Sequence, residues 1–237
     1  MELPEFERLL RSGHGRPLLF LRDHDATPYR DAILHACLHD LRYDGQVEEP
    51  RGNYLFELLQ LTGEPDWYRA RLIAALQQAT KVNDKEQLVD LVYSFAKQGD
   101  AEARNALYES FTPRRVVHEH YSEVDVAGAE QLVDLEGEAG LLFVMDRIGG
   151  GILDDPEWDE DEFLLDFARK RLGGEVVRAV VAEASASSPR ILAYVQAVKR
   201  TTLDREKYRA QAKLRSETGS VPYERVQQWL RGEIDAF

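Results

Sequence analysis

Cysteine is almost missing from this chain: Cys37 stands alone among 237 residues. No intramolecular disulfide can form, and a zinc frame built on cysteine is excluded. That usage fits a reducing compartment. Long apolar runs are missing too, and none approaches the roughly 20 residues that cross a bilayer. The opening stretch MELPEFERLLRSGHG carries glutamates where a secretory leader needs positive charge, and no apolar segment follows it. The expectation is therefore a cytoplasmic protein with no membrane partner. Positive charge is scarce: 30 Lys and Arg face 43 Asp and Glu, a formal net of −13. Such a surface repels polyanions, which argues against a general binder of nucleic acid or anionic membranes. Nine prolines and 16 glycines are too few for a fibrous or low-complexity chain but enough to punctuate helices.

What is present is helix signal, repeated with short gaps. Thr27-Pro28 reads as a cap followed by proline at the first helical position, and Ile33, Leu34, Cys37, Leu38 and Leu41 form one apolar stripe. Pro50–Leu61 reads as a helix closed by Gly63. Asp66, Asp84 and Asp100 each open a further one, and Tyr68, Leu72, Ile73 and Leu76 mark the buried face of the first of these. Beyond the middle of the chain, helices are expected near 129–135, 141–148, 161–172, 175–186, 189–200, 204–217 and 222–233. The stretch 112–127, TPRRVVHEHYSEVDVA, alternates in polarity and reads as a loop or short extended segment. The predicted fold is all-α, a stack of antiparallel helix pairs or a compact helical array. Residues 1–111 form its repeats, 112–128 a connecting segment, and 129–237 further helices ending in a basic one, unless the whole is one continuous domain.

Part of the first half repeats. TPYRDAILHACL at 27–38 aligns without gaps to DWYRARLIAALQ at 66–77, each with a capping residue, Tyr-Arg, an apolar pair and alanine. A looser third copy, DAEARNALYESF at 100–111, keeps a cap, Arg104, Leu107 and Phe111. Over residues 27–111 this resembles the second helices of HEAT-type repeats. The resemblance implies a stack used mainly as a binding scaffold, with Arg30, Arg69 and Arg104 at the seams between units, paired with carboxylates and structural in role.

Several constellations bear on chemistry. Asp31, His35 and His39 share one helix face, where two histidines four apart can hold a metal with the carboxylate beside them, although a solvated face has the same look. His39-Asp40 within ACLHDLRYDG resembles the metal-binding core of HD-type phosphohydrolases. That resemblance implies His14 or His24 as upstream ligand, Asp125 or Asp134 as downstream ligand, and two metals activating a water against phosphorus. The family's usual Ile-Gly-Lys after the pair is Leu41-Arg42-Tyr43 here. His118-Glu119-His120 offers half a zinc site if extended, with no third ligand in view.

Charge is unevenly spread. From Lys199 to Arg215, seven basic residues face two acidic ones, leaving five positive charges on a body that carries the rest of the imbalance. A nucleic-acid contact through Arg205, Lys207, Arg209, Lys213 and Arg215 is the route open to a DNA- or RNA-binding solenoid. The densest acidic run is Asp154, Asp155, Glu157, Asp159, Glu160, Asp161 and Glu162, broken by Pro156 and Trp158. Carboxylates also favour the positive end of a helix dipole. No nucleophile elbow, phosphate loop or dinucleotide fingerprint appears, which favours a non-catalytic role without cofactor or metal. The sequence reading is a scaffold that binds a basic protein partner through Asp154, Asp155, Glu157, Trp158 and Asp159, with the phosphohydrolase and the nucleic-acid-binding solenoid as alternatives.

Overall fold

The computed structural model describes residues 1–39, 51–63, 65–117, 122–150 and 160–199. The chain divides into two compact units, Met1–Val144 and Met145–Phe237. The fold is all-α apart from one short hairpin among the described residues.

The first unit opens with α1 (Leu3–Arg11) and α2 (Arg16–Leu21), then a 3-10 turn at Thr27–Tyr29 that leads into α3 (Arg30–Leu38). It continues through α4 (Arg51–Leu61), α5 (Pro65–Gln78), α6 (Val82–Lys97) and α7 (Ala101–Ser110). Strands β1 (Arg114–Val117) and β2 (Ser122–Asp125) pair antiparallel, with Arg114 opposite Asp125, and precede α8 (Ala129–Glu136) and α9 (Glu138–Ile148), whose last turn, from Met145, is counted with the second unit. Helices pack on the next and on the next but one through most of the series: α1 on α2 and α3, α3 on α4 and α5, α4 on α5 and α6, α5 on α6 and α7, α6 on α7 and α8, while α2 packs on α4. That pattern makes two layers. One holds α1, α3, α5 and α7; the other holds α2, α4, α6 and α8.

The apolar stripes of the sequence face the space between these layers. Tyr29, Ile33 and Cys37 on one side, and Tyr68, Leu72 and Leu76 at the matching positions 39 residues later, are all buried. Ala103, Leu107 and Phe111 continue the series at the same four-residue spacing. By this register Arg104 follows buried Ala103 as Arg69 follows Tyr68 and Arg30 follows Tyr29. The two tyrosines do the same work. Tyr29 donates its hydroxyl to the Met1 carbonyl beside α1, and Tyr68 donates to the Arg30 carbonyl at the start of α3, at 3.4 Å.

Polar and aromatic rungs tie each layer along its length. Tyr54 donates to the His14 carbonyl at 2.9 Å, Phe56 meets Phe95 edge-on at 5.1 Å, and Tyr93 donates to Asp134 at 2.5 Å. In the other layer Phe143 of α9 packs on Tyr108 and Phe111 of α7. Burying a leucine or tyrosine in such a space contributes about 1.5–3 kcal/mol, so the fully buried residues shared by successive pairs dominate the stack's stability.

Two local expectations are corrected. Thr27 does not cap α3. Its N–H and hydroxyl both donate to Asp25 Oδ1, at 3.0 and 2.8 Å, so Asp25 sets the turn and α3 starts only at Arg30. Asp66 and Asp84 lie inside the first turns of α5 and α6 rather than before them. Asp100 is the cap it reads as: its carboxylate accepts from the N–H groups of Glu102 and Ala103.

In the second unit, α10 (Glu160–Leu172) packs on α11 (Gly174–Ser187), and residues 189–199 are helical. Ser188 donates to Asp146 Oδ1 at 3.0 Å, while Arg190 donates to the Asp146 and Arg147 carbonyls at 2.6 and 3.0 Å. One guanidinium thus satisfies carbonyls that a helix end leaves open.

Candidate functional site

The sequence singles out three arginines, and the structure places each at the entrance or end of a later helix. Arg30 lies over the Trp67 ring in the first turn of α5, with 4.0 Å from guanidinium carbon to ring centroid. Arg69 donates through Nε and Nη2 to the Asp100 carboxylate that caps α7, and through Nη2 to Glu102 at 2.7 Å. Arg104 Nε stands 3.0 Å from Glu136 Oε1 at the end of α8; the approach is a charge contact rather than an aligned hydrogen bond. Arg69 and Arg104 meet carboxylates as expected, while Arg30 adds a cation–π contact that the repeat pattern did not reveal.

The Arg69 pair carries a pH signature. Hydrogen bonding from Arg69, against a smaller opposing effect of burial, pulls the Asp100 carboxyl down to about 2. A carboxylate depressed in the folded state adds stability that is complete above its unfolded value of about 4 and is lost as pH falls through the folded value. Asp100→Asn keeps an acceptor for the cap but removes the charge. We expect it to cost about 1 kcal/mol at neutral pH and to flatten the fall in stability between about pH 4 and pH 2. Urea unfolding across that range measures it; an unchanged slope rules the pair out as the source.

The least legible feature lies where the hairpin meets α6. Lys85 Nζ is 3.3 Å from Asp125 Oδ2, with side chains 6% and 0% exposed. Arg114 Nε donates to the same oxygen at 3.0 Å, and the Ala127 N–H donates to Oδ1 at 3.2 Å. Arg114 also donates to the Thr80 carbonyl at 2.7 Å. Further along α6, buried Gln87 donates from Nε2 to the Ala36, Cys37 and His39 carbonyls, closing the end of α3. These are fasteners, set where the chain has no regular backbone partner.

The candidate metal ligands go elsewhere. His14 Nδ1 accepts from the Arg16 N–H, and His24 stacks on Phe20 while bonding its carbonyl at 2.9 Å. Asp125 is held by Lys85 and Arg114, and Asp134 by Tyr93. His35 and His39 lie with ring centroids 4.9 Å apart, and His39 is 3.7 Å from Asp84. Among the described residues, no three His, Cys, Asp or Glu side chains gather where a metal ion could sit. Asp40, His118, Glu119 and His120 lie outside the described residues. Burial pushes the Cys37 thiol far up, so it stays protonated and packs as a small apolar side chain.

The acidic run expected to meet a partner, Asp154, Asp155, Glu157, Trp158 and Asp159, also lies outside the described residues. So do Arg205, Lys207, Arg209, Lys213 and Arg215 of the basic segment. Among the described residues no helix is long and apolar enough to cross a membrane.

A groove that sequence reading missed runs between α1 and α3, with a volume of about 180 Å³. Leu10, Ala32 and Ala36 form its floor, and Glu7, Arg11, Asp31 and His35 complete its lining. Asp31 and His35 were visible as one helix face. Glu7 and Arg11 belong to an earlier helix, and only the stacking of α1 on α3 brings the four together. Comparison with protein-family models, with curated proteins and with solved structures returned no match.

Proposed function

We propose that this chain is a non-catalytic helical-repeat scaffold of HEAT-like build that binds a basic protein partner through an acidic surface. The observation that carries the scaffold half is the arginine series: Arg30, Arg69 and Arg104 each engage the terminus of a later helix. A repeated seam of this kind spends its conspicuous charged residues on stacking and leaves the outer faces for recognition. The partner half rests on the net charge of −13 and on the sequence of residues 154–159. Acidic surfaces steer basic partners at long range, and a nearby aromatic such as Trp158 supplies affinity once they meet.

The test is capture from native cytosol at low salt, followed by salt elution and mass spectrometry. Screening shortens the electrostatic range from about 10 Å at 0.1 M to about 3 Å at 1 M. The expected result is a basic protein released as salt rises and not captured by the Asp155→Asn, Glu157→Gln, Asp159→Asn variant. Capture that ignores both salt and the variant would overturn the reading.

A further inference from the structure

We infer that the groove between α1 and α3 is a docking slot for one basic side chain, lysine or arginine, of a protein partner. This rests on the scaffold reading and locates a contact for it outside the acidic run. Size comes first. At about 180 Å³ the groove is smaller than the roughly 300–1,000 Å³ of clefts that enclose whole small-molecule ligands. A single long side chain fills it.

Chemistry decides which one. The floor of Leu10, Ala32 and Ala36 is apolar and takes a methylene stem, the part of lysine or arginine that packs on apolar surface while its head stays polar. Glu7 and Asp31 contribute one carboxylate from each helix, and among the described residues neither has a cation paired with it. Elsewhere in the first unit, partly buried carboxylates such as Asp100, Asp125, Asp134 and Glu136 are matched by arginine, lysine or tyrosine. Two carboxylates, half-buried Glu7 and exposed Asp31, thus outnumber the one guanidinium of Arg11 in a groove with an apolar floor, which fits a cationic head on an aliphatic stem. Arg11 has a contact of its own. It and His35 supply N–H donors suited to carbonyls of the partner's backbone.

The probe is the blocked amino-acid amide, titrated into the isotope-labelled chain and followed by backbone amide shifts. N-acetyl-lysine amide and N-acetyl-arginine amide should saturate shifts at Leu10, Ala32 and Ala36, with dissociation constants of about 1–10 mM. N-acetyl-norleucine amide has a similar stem without charge and should bind about tenfold more weakly. The double variant Glu7→Gln, Asp31→Asn, which keeps size and shape, should lose about tenfold for lysine and nothing for norleucine. Equal binding of lysine and norleucine, or lysine shifts that never saturate at these residues, would overturn the slot. If the amides bind but no basic protein is captured from cytosol, the groove's affinity for a basic side chain stands, and its assignment to a protein partner fails with the scaffold reading. If a basic protein is captured yet the amides do not bind, the scaffold reading stands and the slot fails.

Discussion

Gly140→Ala should be among the most destabilising single-methyl changes available in the first unit. Gly140 lies in α9, directly against the backbone of α8. A Cβ there would overlap the carbonyl oxygen of Leu132 and sit 2.7 Å from its carbon. Both obstacles are backbone, so no rotamer change relieves them, and α9 must move off α8. That movement would open contacts made by fully buried Leu132, Val133, Leu141 and Val144. Overpacking of this kind costs about 3 kcal/mol or more. For a chain of this length that lowers the melting midpoint by about 6–12 °C. Gly15→Ala is the control. Gly15 has φ −68°, and no heavy atom lies within 4 Å of the place its Cβ would take, so alanine should be neutral or stabilise by a few tenths of a kcal/mol. Thermal unfolding of the pair decides it, and equal midpoints would show that α8 and α9 are not in this register.

The second large effect belongs to Lys85 and Asp125. Removing Asp125 leaves Lys85 without its match in a site almost closed to water, a loss of about 3–5 kcal/mol, while removing Lys85 leaves Asp125 still paired with Arg114 and costs less. Asp125→Ala should be the worse of the two, because it also strands the Ala127 N–H and frees Arg114. Removing both charges while keeping an acceptor for Ala127, as in Lys85→Met with Asp125→Asn, should recover most of the loss. A double-mutant cycle in urea measures the coupling, expected at about 2 kcal/mol or more in favour of the pair, as for other buried ion pairs whose members are removed one at a time. Additive single effects would mean that the pair is not formed in solution. Hydrogen exchange gives a second reading: Asp125→Ala should speed exchange at β1 and β2 before it does so at α5 or α6.

The contrast between these sites and the rest shows what the sequence carries. Helix periodicity was legible because Ile33, Cys37, Leu72 and Leu76 must share a face to reach one core. The Tyr-Arg repeat was legible because both tyrosines solve the same local problem, a hydroxyl placed against the start of the preceding helix in the layer. Lys85, Gln87 and Asp125 were not legible. Each sits in a run that reads as solvated, VNDKEQ or SEVD, and each is buried by a segment about 40–50 residues away. Hydrophobic pattern reports which face turns inward, not which polar residue a neighbouring element will cover. The groove was half legible for the same reason: Asp31 and His35 were visible as one face, and Glu7 joined them only through the packing of α1. Thr27 misled because its position before Pro28 is right for a cap, while Asp25, two residues earlier, offers the stronger acceptor.

The association rate of the captured basic partner, measured against ionic strength for the unaltered chain and the Asp155→Asn, Glu157→Gln, Asp159→Asn variant, tests the scaffold reading most directly. For the unaltered chain the rate should fall steeply with salt, and for the variant it should be slower with a flatter dependence. Trp158→Ala made alone should speed dissociation. An association rate that neither salt nor the variant changes, with Trp158→Ala lowering only thermal stability, would contradict it.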